Sequence, residues 1–383
     1  MNDDAKRHQK SDLIQMQSLP LNAKIIMTKQ RIKVWYESWC KFKITNTKTG
    51  KTRFVVFDTR GDKEPPLKKD EYSEYVDDGQ VYVSFSGGKD STVLLHLVRQ
   101  MYPDVEAVFV NTGLEYPEIQ RFVKTFDNVT ILKPAMRFDE VIKTYGYPVI
   151  SKNVARKVHD ARQGKEWAMK YVNGTATRSD GAKSIYTVEK YKPLIDVDFI
   201  ISDSCCGVMK KKPIKKYTKL TQKKPITAQM ASESKQRLGQ WLQKGCNAFD
   251  TKYPMSNPMS FWTGQDVLQY IKKYSITIAS VYGDIAYSKE PEQMRFCGCG
   301  TDKLKTTGCD RTGCIFCGFG CHLDKGKSRF ERLKETHPKQ YNYCINGGEY
   351  NEDGLWIPNN KGLGMGHVFD VLNSIYGDGF IKY

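Results

Sequence analysis

The sequence has no long apolar run, and this absence bounds what the protein can be. No stretch of its 383 residues approaches the roughly 18 consecutive apolar residues that a membrane-spanning helix needs. The opening residues, MNDDAKR, are not followed by the apolar core of a signal peptide. These two absences predict a cytoplasmic protein with no membrane partner.

Acidic residues are scarce relative to basic ones. The chain has 60 Lys and Arg against 43 Asp and Glu, which gives a formal net charge of +17. A strongly basic protein is expected to bind polyanions, here either nucleic acid or a multiply charged nucleotide. Lysines are densest between positions 210 and 224. This segment is open to two interpretations, a nucleic-acid-binding surface or a solvated loop.

A disulfide framework is also not expected. The 11 cysteines are an odd number, and nothing in the sequence directs the chain to an oxidising compartment. Their crowding towards the end of the chain instead predicts metal or redox chemistry. The late cysteines are Cys297, Cys299, Cys309, Cys314, Cys317, Cys321 and Cys344.

The Walker phosphate loop is absent. That motif requires G-x-x-x-x-G-K-[ST], but here Lys89 is followed by Asp90, and Val83 stands at the position of the first glycine. Nucleotide binding of the Walker type is therefore excluded for this segment.

A different glycine loop is present at the same place. A predicted strand over 81–85 ends in Ser86-Gly87-Gly88-Lys89-Asp90-Ser91, and a predicted helix follows over 90–101. A strand, a glycine turn and a helix aim backbone N–H groups at an anion. We expect Lys89 to stabilise phosphate charge and Asp90 to hold a metal ion, and both are candidate catalytic residues. The candidate phosphate-binding residues are Ser84, Ser86, Gly87, Gly88, Lys89, Asp90 and Ser91.

Strands and helices alternate after this loop. Strands over 105–110 and 129–132 are separated by helices near 117–126 and 138–145, and a further strand is expected near 225. Alternation of this kind predicts an α/β fold with a doubly wound parallel sheet. The expected organisation is a leading helix and an added β-hairpin over 1–78, with residues 1–20 loose, a nucleotide-binding domain over 79–290, and a Cys-rich metal-binding region over 291–383.

The SGGKDS run resembles the pyrophosphate loop of the PP-loop ATP pyrophosphatases, and residues 79–345 resemble the phosphoadenosine phosphosulfate (PAPS) reductase family within that superfamily. The resemblance implies an adenine nucleotide as ligand, with ATP and Mg²⁺ for the intact loop. It adds candidate nucleotide-binding residues, namely Asn111, Thr112, Gly113, Lys152, Glu233 and Arg237.

Two features depart from the family pattern. The family often carries Gly-x-Arg-x-x-Glu-Ser, but Ala228 and Met230 stand at the glycine and arginine positions. The reductases also end in a Glu-Cys-Gly-[Ile/Leu]-His segment, which this sequence lacks. One anion contact and the reductive cysteine of the family therefore have no counterpart in these motifs.

Paired cysteines carry a further resemblance. Cys205-Cys206 followed by Cys314-x-x-Cys317 is similar to the pattern of assimilatory sulfonucleotide reductases, in which four thiolates hold a [4Fe–4S] cluster. Soft thiolate ligands suit iron–sulfur or zinc. Zinc is the alternative, held by four of the cysteines 297, 299, 309, 314, 317 and 321.

Three functions remain open from the sequence. The first is ATP-dependent adenylyl transfer coupled to sulfur chemistry on a nucleic acid or small acceptor, with a sulfur-donor or electron-donor protein as partner. The second is a sulfonucleotide reductase that releases sulfite. The third is a non-enzymatic nucleotide- or DNA-binding regulator on the same fold.

Overall fold

The computed structural model describes residues 8–288 and 303–383. Contacts group the chain into two units whose segments interleave along the sequence. The first unit contains residues up to Val110, Tyr116–Leu132 and Lys215–Thr312. The second contains Asn111–Glu115, Lys133–Ile214 and Gly313–Tyr383. The two units are each assembled from segments that are distant in sequence, and the division expected from the sequence, into 1–78, 79–290 and 291–383, stays a prediction.

The strands are short and are numbered here in chain order. They are β1 Trp39–Asn46, β2 Thr52–Asp58, β3 Glu71–Asp77, β4 Val81–Ser84, β5 Ala107–Val110, β6 Val129–Leu132, β7 Val149–Ile150, β8 Lys224–Ile226, β9 Asn247–Ala248, β10 Met255–Ser256, β11 Ile285–Tyr287, β12 Leu304–Thr306, β13 Gly318–Phe319, β14 Glu349–Tyr350 and β15 Trp356–Ile357.

The helices are numbered in the same way. They are α1 Lys10–Ser18, α2 Leu21–Ser38, α3 Lys89–Arg99, α4 Pro117–Val123, α5 Phe138–Tyr145, α6 Lys152–Arg162, α7 Glu166–Val172, α8 Ser204–Cys206, α9 Lys212–Thr221, α10 Lys235–Lys244, α11 Gly264–Lys273, α12 Arg329–Thr336, α13 Pro338–Ile345 and α14 Met365–Tyr376. A π-helical turn, Gly207–Lys211, joins α8 to α9. None of the described helices is long and apolar enough to cross a membrane.

The main sheet of the first unit has the strand order β6-β5-β4-β8-β10-β9. The pairs from β6 to β10 are parallel, and β9 pairs antiparallel at the edge. The parallel sheet expected from the sequence is confirmed. The chain runs from β4 outward to β6 and then returns to β8 on the other side of β4. The strand order therefore reverses between β4 and β8, where open α/β sheets bind ligands.

Burial explains why the sequence forms this sheet. Val81, Tyr82 and Val83 of β4 are almost fully buried, as are the first three residues of β5. Such continuous apolar, β-branched and aromatic strands are typical of a sheet covered on both faces. Helix α3 buries Val93, Leu94 and Leu97 on one side.

The N-terminal segment differs from the sequence prediction in two places. Residues 10–18 form helix α1, not a loose segment, because Leu13 is buried and Asp12 accepts a hydrogen bond from the Gln9 backbone N–H at 2.7 Å. The predicted hairpin is confirmed as β1 and β2, which pair antiparallel. The charged stretch that follows was not expected to form a strand, yet β3 pairs with the other edge of β1.

The second unit holds short parallel and antiparallel pairs among helices. Strand β13 pairs parallel with β7, and β14 pairs antiparallel with β15. Residues 148–152 include β7 and the first residue of α6. The lysine-rich segment after Cys206 is helical and not a loop, through the π-helical turn and α9.

Candidate functional site

The glycine loop is held in a conformation that only glycine adopts without strain. Gly87 has φ +69°, and a Cβ atom there would lie 2.7 Å from Ile119 Cγ2 and 2.8 Å from Val123 Cγ2. Gly88 is the N-cap of α3. The backbone therefore turns sharply between β4 and α3, and the first N–H groups of α3 lie beside the loop.

Serine hydroxyls stabilise this turn from within. The Oγ atoms of Ser86 and Ser91 are 3.0 Å apart, and Ser91 Oγ donates to the Gly88 carbonyl at 2.9 Å. The Ser86 N–H donates to Ser91 Oγ at 3.2 Å. The hydroxyls that the sequence offered as phosphate ligands thus fix the shape of the loop in this structure.

Lys89 is fixed by groups from a distant part of the first unit. Its Nζ donates to the Asp310 carbonyl at 2.9 Å, and its backbone N–H donates to the Tyr282 hydroxyl at 3.3 Å. The Tyr282 hydroxyl is 2.5 Å from Thr312 Oγ1. Burial raises the pKa of Tyr282 to about 12, although hydrogen bonds with Thr312 and Lys89 oppose the shift. Tyr282 therefore remains a neutral phenol that positions Lys89.

Asp90 lies at the same loop. Its Oδ1 atom is buried and has no hydrogen-bond partner among the residues that the structure describes, and Lys89 Nζ is 3.8 Å away. A buried carboxylate oxygen without a partner is costly unless a cation or a donor is supplied. Magnesium prefers carboxylate oxygens together with substrate phosphates. The Asp90 side chain therefore fits a metal–nucleotide complex.

A carboxylate and two arginines lie in the segment after β8. Glu233 contacts the Arg237 guanidinium, and its Oε1 is 3.1 Å from Arg311 NH2. Burial lowers the pKa of Arg237, the nearby Arg311 lowers it further, and Asp90 opposes the shift. Two neighbouring guanidinium groups are matched to an anion. The structure thus brings Glu233 and Arg237 together and couples Arg237 electrostatically to Asp90.

Met230 confirms one departure from the family pattern. It is only 4% exposed, and its backbone N–H donates to Glu233 Oε2 at 2.9 Å. A thioether stands where the family motif has an arginine. The anion contact of that arginine is missing from this position.

The second unit gathers the four cysteines that the sequence paired. They line one small cavity with apolar side chains and one lysine. The lining residues are Leu114, Phe138, Pro148, Cys205, Cys206, Met209, Lys210, Cys314 and Cys317. The Cys-Cys pair comes from α8, and the other two thiols come from the turn before β13.

The two adjacent thiols titrate in opposite directions. Hydrogen bonding to Cys206, together with burial, raises the pKa of Cys205 far above its ordinary value. The same hydrogen bond, assisted by Lys152 and Lys210, lowers the pKa of Cys206 to about 5 despite its burial. The pair therefore favours the thiolate form at Cys206 and the thiol form at Cys205. Burial raises the pKa of Cys314 to about 11, although Lys210 opposes the shift.

Two lysines supply positive charge at this cavity. Lys152, the first residue of α6, hydrogen-bonds the Cys206 thiolate. Burial alone would lower the pKa of Lys210, but the charges of Cys314, Glu115 and Cys206 raise it overall. Lys210 Nζ is 3.9 Å from Glu115 Oε1. The structure places Lys152 beside Cys206, and its predicted role in nucleotide binding stays a prediction.

Four thiols share one lining, and soft thiolate ligands suit iron–sulfur or zinc. Within residues 8–288 and 303–383, no group of three or more His, Cys, Asp or Glu side chains is placed so that it could hold a metal ion. A metal group at these four cysteines therefore stays a prediction. Of the other zinc candidates, Cys297 and Cys299 lie outside the described residues, whereas Cys309 is partly exposed and Cys321 is buried.

The Asn111-Thr112-Gly113 turn also belongs to the second unit. Thr112 Oγ1 donates to Glu115 Oε1 at 2.7 Å, and its N–H donates to Glu115 Oε2 at 3.0 Å. Asn111 Oδ1 accepts from the Gly113 N–H at 3.0 Å. Glu115 thus fixes this turn and also approaches Lys210. A role of these three residues in nucleotide binding remains a prediction.

Sequence reasoning missed the residues that position Lys89. Tyr282, Asp310 and Thr312 are far from the glycine loop in the sequence, and no local pattern connects them to it. The two arginines differ in this respect, because Arg237 follows a family motif and Arg311 does not. A long-range contact of this kind becomes visible only in the folded chain.

Comparison with known proteins decides the family. The model of the phosphoadenosine phosphosulfate reductase domain matches residues 80–318, more than half of the chain. The chain belongs to this family.

Two relatives that match most or about half of this chain share only 23% sequence identity with it. An uncharacterised protein of Methanocaldococcus jannaschii is 23% identical over 288 residues, which cover 72% of this chain and 51% of that protein. A phosphoadenosine 5'-phosphosulfate reductase of Xylella fastidiosa is 23% identical over 194 residues, covering 51% of this chain and 63% of the reductase. The chain thus spans about half of the first relative and less than two thirds of the second.

A solved structure was also matched. It is the phosphoadenylyl-sulfate reductase from Candida auris in a phosphate complex, with 14% identity and a TM-score of 0.31, covering 54% of this chain and 80% of that chain. The family assignment therefore rests on the domain match.

Proposed function

We propose that this member of the PAPS reductase family binds Mg²⁺–ATP at the glycine loop and cleaves it between the α and β phosphates. The observation that carries this proposal is the buried Asp90 Oδ1, which has no hydrogen-bond partner within residues 8–288 and 303–383 and lies 3.8 Å from Lys89 Nζ. A metal ion at Asp90 and the ammonium of Lys89 would together stabilise charge on the departing pyrophosphate. The loop lies at the reversal of strand order, where this fold class binds ligands.

The reaction is an adenylyl transfer. An oxygen nucleophile of the acceptor forms a bond to the α phosphorus, the bond from that phosphorus to the bridging oxygen breaks, and pyrophosphate leaves with the electron pair. A sulfur nucleophile then displaces AMP from the activated acceptor. Arg237 and Arg311, paired through Glu233, offer guanidinium groups for an anionic part of the substrate.

Cys205, Cys206, Cys314 and Cys317 would hold a [4Fe–4S] cluster in the second unit. Such a cluster would supply one-electron or sulfur-binding chemistry. Lys152 and Lys210 would offset its negative charge, as they already stabilise the Cys206 thiolate.

The test is pyrophosphate and AMP release from ATP labelled on the α phosphate, with anaerobically purified protein. Lys89→Ala and Asp90→Asn are each expected to reduce release by about 10²- to 10³-fold, the usual effect of removing one group that stabilises transition-state charge. Lys69→Ala, at an exposed position of the same unit, is the matched control. Pyrophosphate release that survives both loop variants would refute the proposal.

A sulfonucleotide reductase is the second candidate, favoured by the four thiols that line one cavity. It would release sulfite from a sulfonucleotide and would not consume ATP. Sulfite formation at unchanged ATP concentration, lost in Cys206→Ser, would favour this alternative over adenylyl transfer.

A further inference from the structure

A second cavity lies in the second unit, away from the thiols. Its volume is about 410 Å³, within the range of small-molecule sites. The lining alternates rings and polar groups from α6, α7 and the segment after α7. The lining residues are Asn153, Arg156, Lys157, Trp167, Tyr171 and Tyr186.

The aromatic rings leave faces open to solvent. Trp167 is 41% exposed and Tyr186 is 65% exposed. Trp167 and Tyr171, one turn apart on α7, meet edge to face with centroids 6.1 Å apart. Nucleobases stack on exposed aromatic rings of this kind, and every base is tolerated.

Two cations accompany the rings. The Arg156 guanidinium lies 5.8 Å from the Trp167 centroid, and Lys157 Nζ lies 4.2 Å from the Tyr171 centroid. Lys157 Nζ also donates to the Tyr186 carbonyl at 2.5 Å, which fixes the backbone that carries the Tyr186 ring. The side chain of Arg156 is 68% exposed and therefore within reach of a ligand.

The nearby acidic group does not cancel this charge. Asp160 is 3.8 Å from Arg156 Nε but makes its short contact, 2.6 Å, with Lys165. Asn153 adds an amide that both donates and accepts, the group that reads the edge of a base. Rings, cations and an amide around one cavity match a planar base that carries a phosphate.

We propose that this cavity binds one nucleotide unit, with its base stacked on Trp167 and Tyr186 and its phosphate at Arg156. The unit comes either from an unpaired position of a nucleic-acid strand or from a free mononucleotide, since both present the same base and phosphate. A role of the bound unit as the sulfur acceptor rests on the proposed function, whereas its binding does not.

The experiment follows Trp167 fluorescence in the full chain without ATP. The probes are AMP, a short single-stranded oligonucleotide and the corresponding duplex. Quenching that is absent in Trp167→Phe is assigned to this cavity. Saturation by the single strand at lower concentration than by AMP identifies a nucleic-acid source, and the reverse order identifies a free nucleotide.

Three variants test the contacts. Tyr186→Ala is expected to weaken binding about five-fold to more than one hundred-fold, the range for loss of one base–aromatic stack. Arg156→Gln is expected to weaken it as well and to reduce its dependence on salt. Arg178→Gln, an exposed arginine of the same unit that pairs with Asp180, should leave binding unchanged.

Failure here is distinguishable from failure of the proposed function. Lys89→Ala should reduce pyrophosphate release by about 10²- to 10³-fold and leave Trp167 quenching intact. No Trp167-dependent change with any probe would overturn the proposal, as would unchanged affinity in both Tyr186→Ala and Arg156→Gln.

Discussion

The glycine loop of the first unit depends on backbone conformation, whereas the thiol cavity of the second unit depends on side-chain chemistry. The loop owes its shape to backbone: a positive φ at Gly87, a helix that begins after Gly88, and hydroxyls that bond within the turn. The thiol cavity owes its character to side chains, because its two adjacent cysteines share a proton under the influence of Lys152 and Lys210.

The two sites therefore differ in the kind of substitution that would disrupt them. The backbone of the glycine loop is already in place, so anion binding there needs no rearrangement of the loop. In the thiol cavity, the pKa of Cys206 is lowered, whereas the pKa values of Cys205, Cys314 and Cys317 are raised. The first site is therefore sensitive to backbone changes and the second to loss of single side chains.

Loss of a cavity cysteine should give the largest effect. We expect Cys205→Ser and Cys314→Ser to lower iron and acid-labile sulfide from about four per chain to near zero, because a cubane cluster uses four thiolates. Iron analysis and the visible spectrum after anaerobic purification measure this. Cys40→Ser, in the first unit, is the control and should retain the full content.

Iron that persists in both cavity variants would contradict the assignment of these thiols. A requirement for Cys309 or Cys321 instead would transfer the metal site to other late cysteines.

The backbone dependence of the glycine loop can be tested with a pair of glycines. Gly87→Ala forces an alanine into a positive φ and brings its Cβ against Ile119 and Val123. We expect a loss of about 2–5 kcal/mol in the free energy of unfolding, the sum of the left-handed penalty and of overpacking, and weaker ATP binding.

Gly61→Ala is the matched control for that variant. Gly61 has φ +68°, and a Cβ there meets nothing within 4 Å. It should cost about 1–2 kcal/mol and leave ATP binding unchanged. Equal costs in urea unfolding of the two variants would show that close packing does not shape the loop.

A smaller, pH-dependent effect on stability is expected at Glu106, which directly precedes β5. Burial raises the pKa of Glu106, but hydrogen bonds from Lys223, Thr130 and Tyr217 outweigh it and lower the pKa overall. A carboxyl whose pKa is lower in the folded state stabilises the protein fully above its unfolded pKa of about 4.3 and loses this contribution as the pH falls below it.

Glu106→Gln should therefore reduce stability at pH 7 by about 1–3 kcal/mol, the cost of weakening a charged hydrogen-bond network. It should also flatten the decline in stability between pH 5 and 3, measured by urea unfolding. Glu64→Gln, an exposed position of the same unit, is the control. An unchanged acid profile in Glu106→Gln would show that this network does not set the acid response.

Local patterns explain which parts of the fold were predictable. The strand, glycine turn and helix around Gly87, the hairpin of β1 and β2, and the Thr263 N-cap of α11 each depend on residues close together in sequence. The Cys205–Cys206 pair and Cys314-x-x-Cys317 were predictable as one set because the family pattern links them.

Contacts between distant segments explain the rest. Strand β3 is rich in charges and becomes a strand because β1 offers a free edge. Tertiary packing brings Lys152 beside Cys206 and the Asp310 carbonyl beside Lys89 Nζ. No local sequence pattern predicts either contact. The interleaved units follow from the same cause, because contacts and not sequence order define them.

The central claim is cleavage of ATP at the glycine loop, and exchange of labelled pyrophosphate into ATP tests it most directly. We predict Mg²⁺-dependent exchange by the wild-type protein that is lost in Asp90→Asn and retained in Lys69→Ala. Absence of exchange in the iron-loaded wild-type protein, together with sulfite release from a sulfonucleotide, would contradict it.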